Sequence, residues 1–349
     1  MSVNKILAVI QSEWSDKKIP VLATVVSVEG SSYRAPGAVL LVDSNQTYLG
    51  MISGGCLEPA IVEIAKTLEP RKGTLRWFDL KDDSVWGLGM GCGGVVGVYL
   101  EPVCQDQNWS SWVHAIEREE VVGRAVIYEA DSPRIHQGST LITLDTGESI
   151  GTTGNSELDS RLRAEVRNLM EQPESVSRDI KIGPTRVLID VVWPPPRLVV
   201  FGAGEDAIPV ADLAEKVGFK VLIVDARQGL ATKKRFPVAN LNHSTPEEYS
   251  DVDLLQQDYV VIMQHHLGRD AVALKTALDA RVHYVGLLGP ESRFEKIKRH
   301  IVNQGQKLDA SDIARIDTPI GLDIGAQGPD EIALSIVSGL VAVRGPGRK

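Results

Sequence analysis

The sequence predicts an α/β protein with a Rossmann-type, doubly wound parallel sheet in its C-terminal part. Strand-like and helix-like segments alternate after residue 197, which is typical of a parallel sheet covered by helices. Before that point, two similar runs of strands and turns predict a mixed α/β module with an apparent internal repeat. We therefore divide the chain into a cysteine-containing module (1–104), a degenerate second copy with a proline-rich linker (105–196) and the Rossmann-type domain (197–349).

The first strand of the predicted Rossmann domain, residues 197–201, leads into the glycine loop that opens its first helix. Gly202 permits a tight turn, and Gly204 lets the backbone approach a pyrophosphate at the helix N-terminus, where amide donors favour an anion. The next strand, residues 220–224, ends at Asp225, which is placed to accept a hydrogen bond from a ribose hydroxyl. These three residues are candidates for binding NAD(P) or another nucleotide.

Two carboxylates favour a different use of this pocket. Glu205 and Asp206 stand in the first turn of the predicted helix, where their negative charges would repel a pyrophosphate. The alternative is therefore a Rossmann fold whose pocket is empty or holds a different kind of ligand.

A pair of histidines follows the predicted strand 259–263, at the sheet edge where doubly wound folds bind ligands. His265 and His266 have three possible roles: metal ligands, contacts to a ligand phosphate, or caps of the following helix. Neighbouring residues rarely coordinate one ion together. We count His265 among the candidate cofactor-binding residues, and either histidine as the acid or base of a nicotinamide-dependent enzyme.

The internal repeat lies before the stiff linker 193–196, Trp-Pro-Pro-Pro. Gly37 and Gly138 each precede an apolar run, and Gly50 and Gly151 each follow that run and precede a helical segment. The two pairs share one offset along the chain. A duplicated scaffold accounts for this spacing.

Two glycine-flanked cysteine segments, 53–56 (Ser-Gly-Gly-Cys) and 89–94 (Gly-Met-Gly-Cys-Gly-Gly), belong to the first copy alone. Since both copies share the same strands and turns, we infer that these segments serve chemistry or binding. A cysteine reacts or binds metal as thiolate, which a helix N-terminus or a ring of backbone amides favours. The alternative for each cysteine is a small buried residue in a tight turn. The candidate cofactor-binding residues here are Gly54, Gly55, Cys56, Gly91, Cys92 and Gly93.

The charge balance argues against polyanionic partners. A formal net charge of -9 over 349 residues disfavours nucleic acid or an anionic membrane, and the basic cluster 233–235 is predicted to be a solvated helix end. The apolar stretches are too short to span a bilayer and the N-terminus lacks a signal-peptide pattern, so we expect a cytoplasmic protein. Three cysteines without a CxxC pair predict neither a disulfide framework nor structural zinc.

Over nearly its whole length the chain resembles the XdhC/CoxI family, accessory factors for molybdenum hydroxylases such as xanthine dehydrogenase. The motifs that carry the resemblance occur in one order: Glu29-Gly-Ser-Ser32 with Pro36-Gly37, Ser53-Gly-Gly-Cys56, Gly87-Leu-Gly-Met-Gly-Cys-Gly-Gly94, Gly202-Ala-Gly204, Tyr284-Val-Gly-Leu-Leu-Gly289, and Pro319-Ile-Gly-Leu-Asp-Ile-Gly-Ala326 with Glu331. The chain has Glu205 where the family commonly has histidine, which leaves open whether the Rossmann pocket binds the family's ligand.

The resemblance implies a protein that binds molybdenum cofactor (molybdopterin) and protects it while a cysteine desulfurase provides its terminal sulfido ligand. The cofactor is then delivered to apo xanthine dehydrogenase or a related molybdenum hydroxylase. Such a protein is a non-catalytic chaperone, and the resemblance also suggests a homodimer. Cys56 matches the family's cofactor-binding cysteine and is therefore the candidate metal ligand, with Cys92 as the second candidate; a thiolate is a soft ligand for molybdenum or a relay for sulfur.

Two other functions stay open. An NAD(P)-dependent oxidoreductase built on the C-terminal domain explains Gly202, Gly204 and Asp225 but leaves both cysteine segments without a role. A redox or persulfide relay through Cys56 alone needs no pterin and predicts a thiol with a depressed pKa.

Overall fold

The computed structural model of the 349-residue chain describes residues 3–80, 94–132, 134–172 and 177–344. The chain forms two compact units, Met1–Pro194 and Pro195–Lys349. Each unit has its own hydrophobic core. None of the helices in the described ranges is long and apolar enough to cross a bilayer.

Within its described residues the first unit combines helices with two sets of five strands. The helices are α1 Val3–Ser15, α2 Glu58–Ala65, α3 Gln107–Glu117 and α4 Ser156–Met170. The strands are β1 Val21–Glu29, β2 Val39–Val42, β3 Tyr48–Gly50, β4 Thr74–Asp79, β5 Val95–Pro102, β6 Val122–Glu129, β7 Thr140–Leu144, β8 Ser149–Gly151, β9 Arg178–Ile182 and β10 Thr185–Val192.

The strands form two antiparallel sheets with the same topology. The first sheet has the order β3-β2-β1-β5-β4, and the second has the corresponding order β8-β7-β6-β10-β9. In both sheets a helix follows the third strand of the copy in sequence, α2 after β3 and α4 after β8. The structure thus confirms the predicted mixed α/β module with an internal repeat.

The core of the first unit is layered. Helix α2 packs on one face of the first sheet through Ile61 and Val62, and α4 packs on one face of the second sheet through Leu162 and Val166. Helices α1 and α3 share a third apolar cluster with both sheets. A smaller cluster, which includes Tyr99 and residues of β1, β6 and β10, joins the two sheets directly. Each copy therefore buries its sheet on both faces.

The second unit alternates strands and helices. Its elements are β11 Arg197–Phe201, α5 Ala207–Lys216, β12 Lys220–Val224, β13 Asn240–Asn242, the 3₁₀ turn Pro246–Asp251, β14 Tyr259–Ile262, α6 Leu267–Asp279, β15 Tyr284–Leu287, α7 Glu291–Asn303, α8 Ala310–Ala314, β16 Ile316–Asp317 and α9 Pro329–Arg344.

The six strands of the second unit form one parallel sheet in the order β13-β12-β11-β14-β15-β16. Helices α5 and α9 contribute to the core on one face, and α6 and α7 contribute to the core on the other. The strand order reverses between β11 and β14, and a doubly wound sheet binds ligands at the carboxyl ends of the strands beside this point. The predicted Rossmann-type sheet is confirmed.

Candidate functional site

The loop from Ile52 to Cys56 is wrapped around one buried carboxylate, that of Glu58, which is 1% exposed. Its Oε1 accepts hydrogen bonds from the backbone amides of Ile52 and Ser53, each at 2.9 Å. Its Oε2 accepts from the Gly55 amide at 3.0 Å and from the Ser53 hydroxyl. Four donors on one carboxylate fix the path of the loop between β3 and α2.

The Ser53 hydroxyl connects this carboxylate to the start of α2. It donates to Glu58 and accepts from the amides of Cys56 at 3.1 Å and Leu57 at 2.7 Å. Amides before and within the first turn of a helix have no partner inside the helix, so a side-chain oxygen there stabilises the helix end. The loop and the helix are held as one hydrogen-bonded assembly.

The charge on Glu58 is maintained despite burial. Burial alone would raise the pKa of Glu58, but hydrogen bonds from the Ser53 hydroxyl and from the Ser53 and Ile52 amides outweigh it and hold the pKa below its ordinary value. Glu58 is therefore ionised at neutral pH, and its negative charge lies beneath the loop that carries Cys56.

The second copy holds a carboxylate at the corresponding position. The same number of residues separates Glu58 from Asp159 as separates Gly37 from Gly138. Asp159 is buried and accepts from the Thr153 amide at 2.8 Å and the Thr153 hydroxyl at 2.6 Å. A buried carboxylate that gathers the loop before the helix is thus a requirement of the repeated scaffold.

The two copies differ in the residues between this loop and the carboxylate. In the second copy the helix already begins at Ser156, and Asn155 caps it by accepting from the amides of Glu157 and Leu158. In the first copy the helix begins later, at Glu58. The corresponding residues, which include Cys56 opposite Glu157, form an irregular loop. Where the second copy has the first turn of a helix, the first copy has a glycine-cysteine segment.

The backbone of this segment depends on glycine. Gly54 has φ +81° and Gly55 has φ +115°, both in the left-handed region. The ring of Tyr33 lies over Gly54, with three ring atoms 3.7 Å from the position of a Cβ on that residue, while Tyr33 remains 56% exposed. Cys56 is partly buried beside them. A ligand that contacts the Cys56 thiol would also meet loop backbone and an exposed aromatic ring.

The other cysteine candidates have different positions. Gly91, Cys92 and Gly93 lie outside the described residues, so their role stays a prediction. Cys104 is buried after the end of β5 and takes no part in the Cys56 loop. Within the described ranges, no group of three or more His, Cys, Asp and Glu side chains is arranged to hold a metal ion.

In the second unit, Gly202 follows β11 and packs tightly against the backbone that follows the neighbouring strand β14. Its φ is +122°, and a Cβ on it would lie 2.7 Å from the carbonyl oxygen of Met263. At Gly204 a Cβ would lie 2.7 Å from a carboxylate oxygen of Asp206. Gly202 is therefore required by close packing against backbone, whether or not a nucleotide binds, whereas at Gly204 the close neighbour is a side chain that can move.

Asp225, which ends β12, is engaged by the protein itself. Its Oδ2 accepts from the Ala203 amide at 2.8 Å and from Arg227 at 2.6 Å, and its Oδ1 accepts from the Arg227 amide at 2.9 Å. Burial would raise the pKa of Asp225, but the hydrogen bonds and charge of Arg227 and the Ala203 amide lower it below its ordinary value. A ribose hydroxyl would have to share these occupied oxygens, and ribose binding by Asp225 stays a prediction.

One ion pair and one hydrogen-bonded Asp–His pair lie at the start of α5, where a nucleotide pyrophosphate would sit. Glu205 pairs with Arg235 at 2.7 Å, and Asp206 pairs with His265 at 2.6 Å. His265 reaches Asp206 from the end of β14 with its backbone at φ +56°. His266, in contrast, caps α6 by accepting from the Arg269 amide at 3.3 Å. The structure brings His265 to the glycine loop and places His266 in a structural role.

The prediction that the basic cluster 233–235 is a solvated helix end is wrong for Arg235. The Arg235 side chain is largely buried in a turn region, and it donates to the carbonyl oxygens of Ala203 at 2.8 Å and Leu230 at 2.9 Å. Its charge is used to hold the glycine loop and to balance Glu205. Single-sequence patterns cannot reveal such a contact, because Arg235 lies 30 residues from Glu205.

Two family models match the chain. Residues 14–77 match the XdhC and CoxI family, and residues 198–340 match the XdhC Rossmann domain. The chain belongs to the XdhC and CoxI family. The first match includes the Cys56 loop and Glu58, and the second includes the glycine loop of the Rossmann sheet, so both candidate sites lie in segments that define the family.

Relatives of this XdhC and CoxI family member span nearly the same length. A protein of Bacillus subtilis, described as a probable subunit of xanthine dehydrogenase, is 29% identical over 337 residues, 94% of each chain. The molybdenum cofactor insertion chaperone PaoD of Escherichia coli is 23% identical, over 93% of this chain and 83% of PaoD. A Bacillus halodurans crystal structure, described as a xanthine dehydrogenase, superposes with a TM-score of 0.78 at 28% identity, over 98% of this chain and 96% of that chain.

The Cys56 loop is recognisable in the sequence, but the residue that organises it was missed. Glu58 and Asp159 share the offset of the glycine pairs Gly37/Gly138 and Gly50/Gly151. An acidic residue kept at that offset, between an apolar strand and an apolar helix, was the available signal. It indicates a buried carboxylate in both copies.

We expect Glu58→Gln to loosen the loop, because the amide NH₂ would face backbone donors where the carboxylate accepted from them. The free energy of unfolding should fall by about 1–3 kcal/mol, measured by urea denaturation. Cys56 should be alkylated faster, measured by peptide mapping with iodoacetamide. Since the pKa of Glu58 is depressed, its stabilisation is complete above the ordinary carboxyl pKa and is lost as the pH falls through the folded-state pKa. The difference from wild type should therefore shrink in acid.

Asp159→Asn is the matched control for Glu58→Gln. It should reduce stability for the same reason but leave the alkylation rate of Cys56 unchanged, since it acts on the second copy. Equal alkylation of Cys56 in wild type and Glu58→Gln would show that the carboxylate does not hold the loop.

We also expect the carboxylates at the start of α5 to oppose nucleotide binding. Replacing both, Glu205→Gln with Asp206→Asn, removes two negative charges beside the pyrophosphate position. This should tighten NAD binding at least tenfold in calorimetric titration. Asp212→Asn with Glu215→Gln, on the same helix beyond its first turn, is the control of equal charge and should have little effect. Tight NAD binding by wild type, or no gain in the first variant, would contradict this interpretation.

Proposed function

We propose that this protein is an accessory factor that binds molybdenum cofactor in its first copy, supports its sulfuration and inserts it into a molybdenum hydroxylase. The observation that carries the proposal is the exchange of a helical turn in the second copy for the Ser53–Cys56 loop in the first. A segment that is needed only for the folding of the repeated sheet and helix would occur in both copies. The loop present in one copy is therefore the part with a function of its own.

The relatives support the same class of function. One of them is named a molybdenum cofactor insertion chaperone, and another is described as a probable component of xanthine dehydrogenase. We infer for this chain a role with xanthine dehydrogenase or a related enzyme as the recipient. Residues 1–104 and 105–196 are proposed as the cofactor-binding copy and its degenerate partner, and residues 197–349 as the Rossmann-type domain.

The loop suits a metal-bearing cargo chemically. The Cys56 thiol, as thiolate, is a soft ligand for molybdenum and a competent acceptor of sulfur. The exposed ring of Tyr33 offers a flat surface for a pterin, and the glycines around Cys92 would hold its phosphate. Glu58 holds the loop through hydrogen bonds from backbone amides. These hydrogen bonds do not involve the Cys56 thiol.

Sulfuration requires a sulfur donor, for which a cysteine desulfurase is the proposed partner. A persulfide carried by that enzyme would pass its terminal sulfur to the Cys56 thiolate, which becomes a persulfide while the desulfurase cysteine leaves as a thiolate. A homodimer is part of the proposal, as is a cytoplasmic location. In this scheme the protein holds and protects the cofactor, and catalysis belongs to the recipient enzyme.

A second candidate function rests on the Rossmann unit. The Asp206–His265 pair places an imidazole oriented by a carboxylate beside the crevice of a doubly wound sheet, an arrangement suited to general acid–base chemistry. An NAD(P)-dependent oxidoreductase would use it. This candidate leaves the Cys56 loop unexplained and has two carboxylates against the pyrophosphate, so the accessory function is favoured.

We expect protein purified from a cofactor-producing host to carry molybdopterin, and Cys56→Ser to lose at least about nine-tenths of it, since a tenfold loss of affinity is a modest cost for one metal–thiolate contact. Pterin fluorescence after oxidation and molybdenum content measure this. Cys104→Ser, a buried cysteine away from the loop, is the matched control and should keep its pterin. Cys92→Ser should lose part of it. Wild type that stays empty with free cofactor supplied would remove the basis of the proposal.

We expect sulfuration of the cofactor to depend on the cysteine desulfurase. Loaded wild type, incubated with a cysteine desulfurase and radiolabelled cysteine, should pass labelled sulfur and activity to apo xanthine dehydrogenase. Omission of the desulfurase should leave the recipient reconstituted in molybdenum but inactive. Full activation of the recipient when the desulfurase is omitted, or when the accessory protein is omitted, would show that sulfuration does not take place on this protein.

A further inference from the structure

The duplication of the first unit creates two related cavities between its sheets. The larger cavity has a volume of about 250 Å³ and is lined by residues of β2, β10 and α1, among them Val39, Leu188 and Ile6. The smaller has a volume of about 160 Å³ and is lined by residues of β7, β5 and α3, which are the corresponding elements with the copies exchanged. Neither cavity includes the Cys56 loop.

One buried cation lines both cavities. Arg124 of β6 is 7% exposed, donates to Glu101 in a buried ion pair and lies over the ring of Trp109, 4.5 Å from its centre. In the β6–β10 ladder Arg124 is directly opposite Asp190, which lines the larger cavity. A guanidinium carries five N–H donors, so the ion pair with Glu101 leaves donor capacity for the cavity side.

The two cavities are filled to different extents. Strand β5 contributes Tyr99 and Glu101 to the smaller cavity, and β10 contributes Leu188 and Asp190 to the larger. A tyrosine ring therefore occupies space that the shorter leucine leaves open. The smaller cavity holds its own ion pair, whereas the larger keeps both space and a carboxyl group.

The charge of the larger cavity excludes an anionic ligand. One positive group, Arg124, faces the carboxyl groups of Glu101 and Asp190. Burial raises the pKa of Asp190 against the lowering effects of the Ser177 hydroxyl, 2.6 Å away, and of Arg124. With Asp190 protonated the three groups are neutral together, and with Asp190 ionised they are negative. In neither state is there an excess of positive charge.

The cavity also has polar groups that the protein leaves without partners. The Thr24 hydroxyl and the Trp193 indole N–H are buried and have no hydrogen-bond partner among the described residues. Both residues line the larger cavity, and Thr24 is only 4% exposed. A buried donor without a partner costs free energy, so such groups indicate a water or a ligand that satisfies them.

We propose that the larger cavity is a binding site for a small, uncharged, planar heterocycle with a hydrogen-bond donor and an acceptor on its edge. Asp190 and Arg124 would pair with the polar edge, and Thr24 and Trp193 would supply further donors. Aliphatic side chains and the ring of Trp112 form the rest of the wall and favour a flat, apolar body. The volume suits one or two fused rings, since an apolar cavity of ~150 Å³ already admits benzene.

The test uses the full chain and three probes. 4-Quinazolinone is a neutral bicyclic lactam, naphthalene has two fused rings without polar groups, and benzoate is anionic. Calorimetric titration measures affinity, and methyl-labelled NMR locates the probe on wild-type protein. We expect one quinazolinone per chain, with shifts at the methyl groups of Leu188 and Ile6. Naphthalene should bind at least tenfold more weakly, and benzoate should not bind.

Substitutions assign the polar contacts. Thr24→Val and Asp190→Asn keep the shape of their side chains and should each weaken quinazolinone binding about tenfold, the worth of one buried hydrogen bond. Thr140→Val, in the smaller cavity, is the matched control and should bind like wild type. If a variant fails to fold, the methyl shifts of wild type still decide the location.

Three results would overturn the proposal. The first is no heat and no methyl shift with quinazolinone up to its solubility limit, which would show a cavity that holds water alone. The second is that naphthalene binds as tightly as quinazolinone and that Asp190→Asn does not change the affinity for quinazolinone. The third is preferential binding of benzoate, which would show that the charges do not act as described.

Discussion

A buried carboxylate beneath a backbone loop is the interaction on which the first unit depends. Glu58 accepts hydrogen bonds from three amides and one hydroxyl of the segment before α2, and Asp159 holds the corresponding segment before α4. Burial of a charge is costly unless it is fully hydrogen-bonded, and here the bonds are numerous enough to lower the pKa of both groups. The loop is therefore fixed in each copy without help from a ligand.

Because the carboxylate fixes the loop, the residues above it are free to vary. The second copy uses them for an ordinary capped helix that begins at Ser156. The first copy uses them for two glycines in the left-handed region and a partly buried cysteine. One scaffold thus supports a copy with an ordinary capped helix and a copy with a glycine-cysteine segment. In the second unit, by contrast, the glycine loop is flanked by contacts between the protein's own side chains, the Glu205–Arg235 ion pair and the Asp206–His265 hydrogen bond.

Much of the architecture could be predicted from the sequence, because apolar periodicity and glycine positions report directly on strands and tight turns. Strands 197–201 and 220–224 have the predicted bounds, and the repeat is present as two sheets with one topology. The helical segment predicted after Gly50 begins only at Glu58 and ends at Ala65, since the segment before it is held in a loop by side-chain hydrogen bonds. Local propensity carries no information about those bonds.

The contacts that define the candidate sites were harder to predict because they join distant residues. Arg235 was predicted to be solvated, yet its side chain holds the Rossmann glycine loop. Arg124 has no distinguishing sequence pattern, yet it is a buried cation shared by two cavities. The roles of Cys92 and of Asp225 as a ribose ligand stay predictions.

The most direct test of the proposed function transplants the second copy's loop into the first. Residues 54–56, Gly-Gly-Cys, are replaced by the corresponding Asn-Ser-Glu of residues 155–157, and bound molybdopterin per chain is measured in protein from a cofactor-producing host. We predict a folded protein with a melting temperature close to that of wild type and no bound pterin, because Ser53 and Glu58 remain and only the glycine-cysteine segment is lost. Pterin retained at the wild-type level in the folded chimera would contradict this assignment and place the cofactor elsewhere.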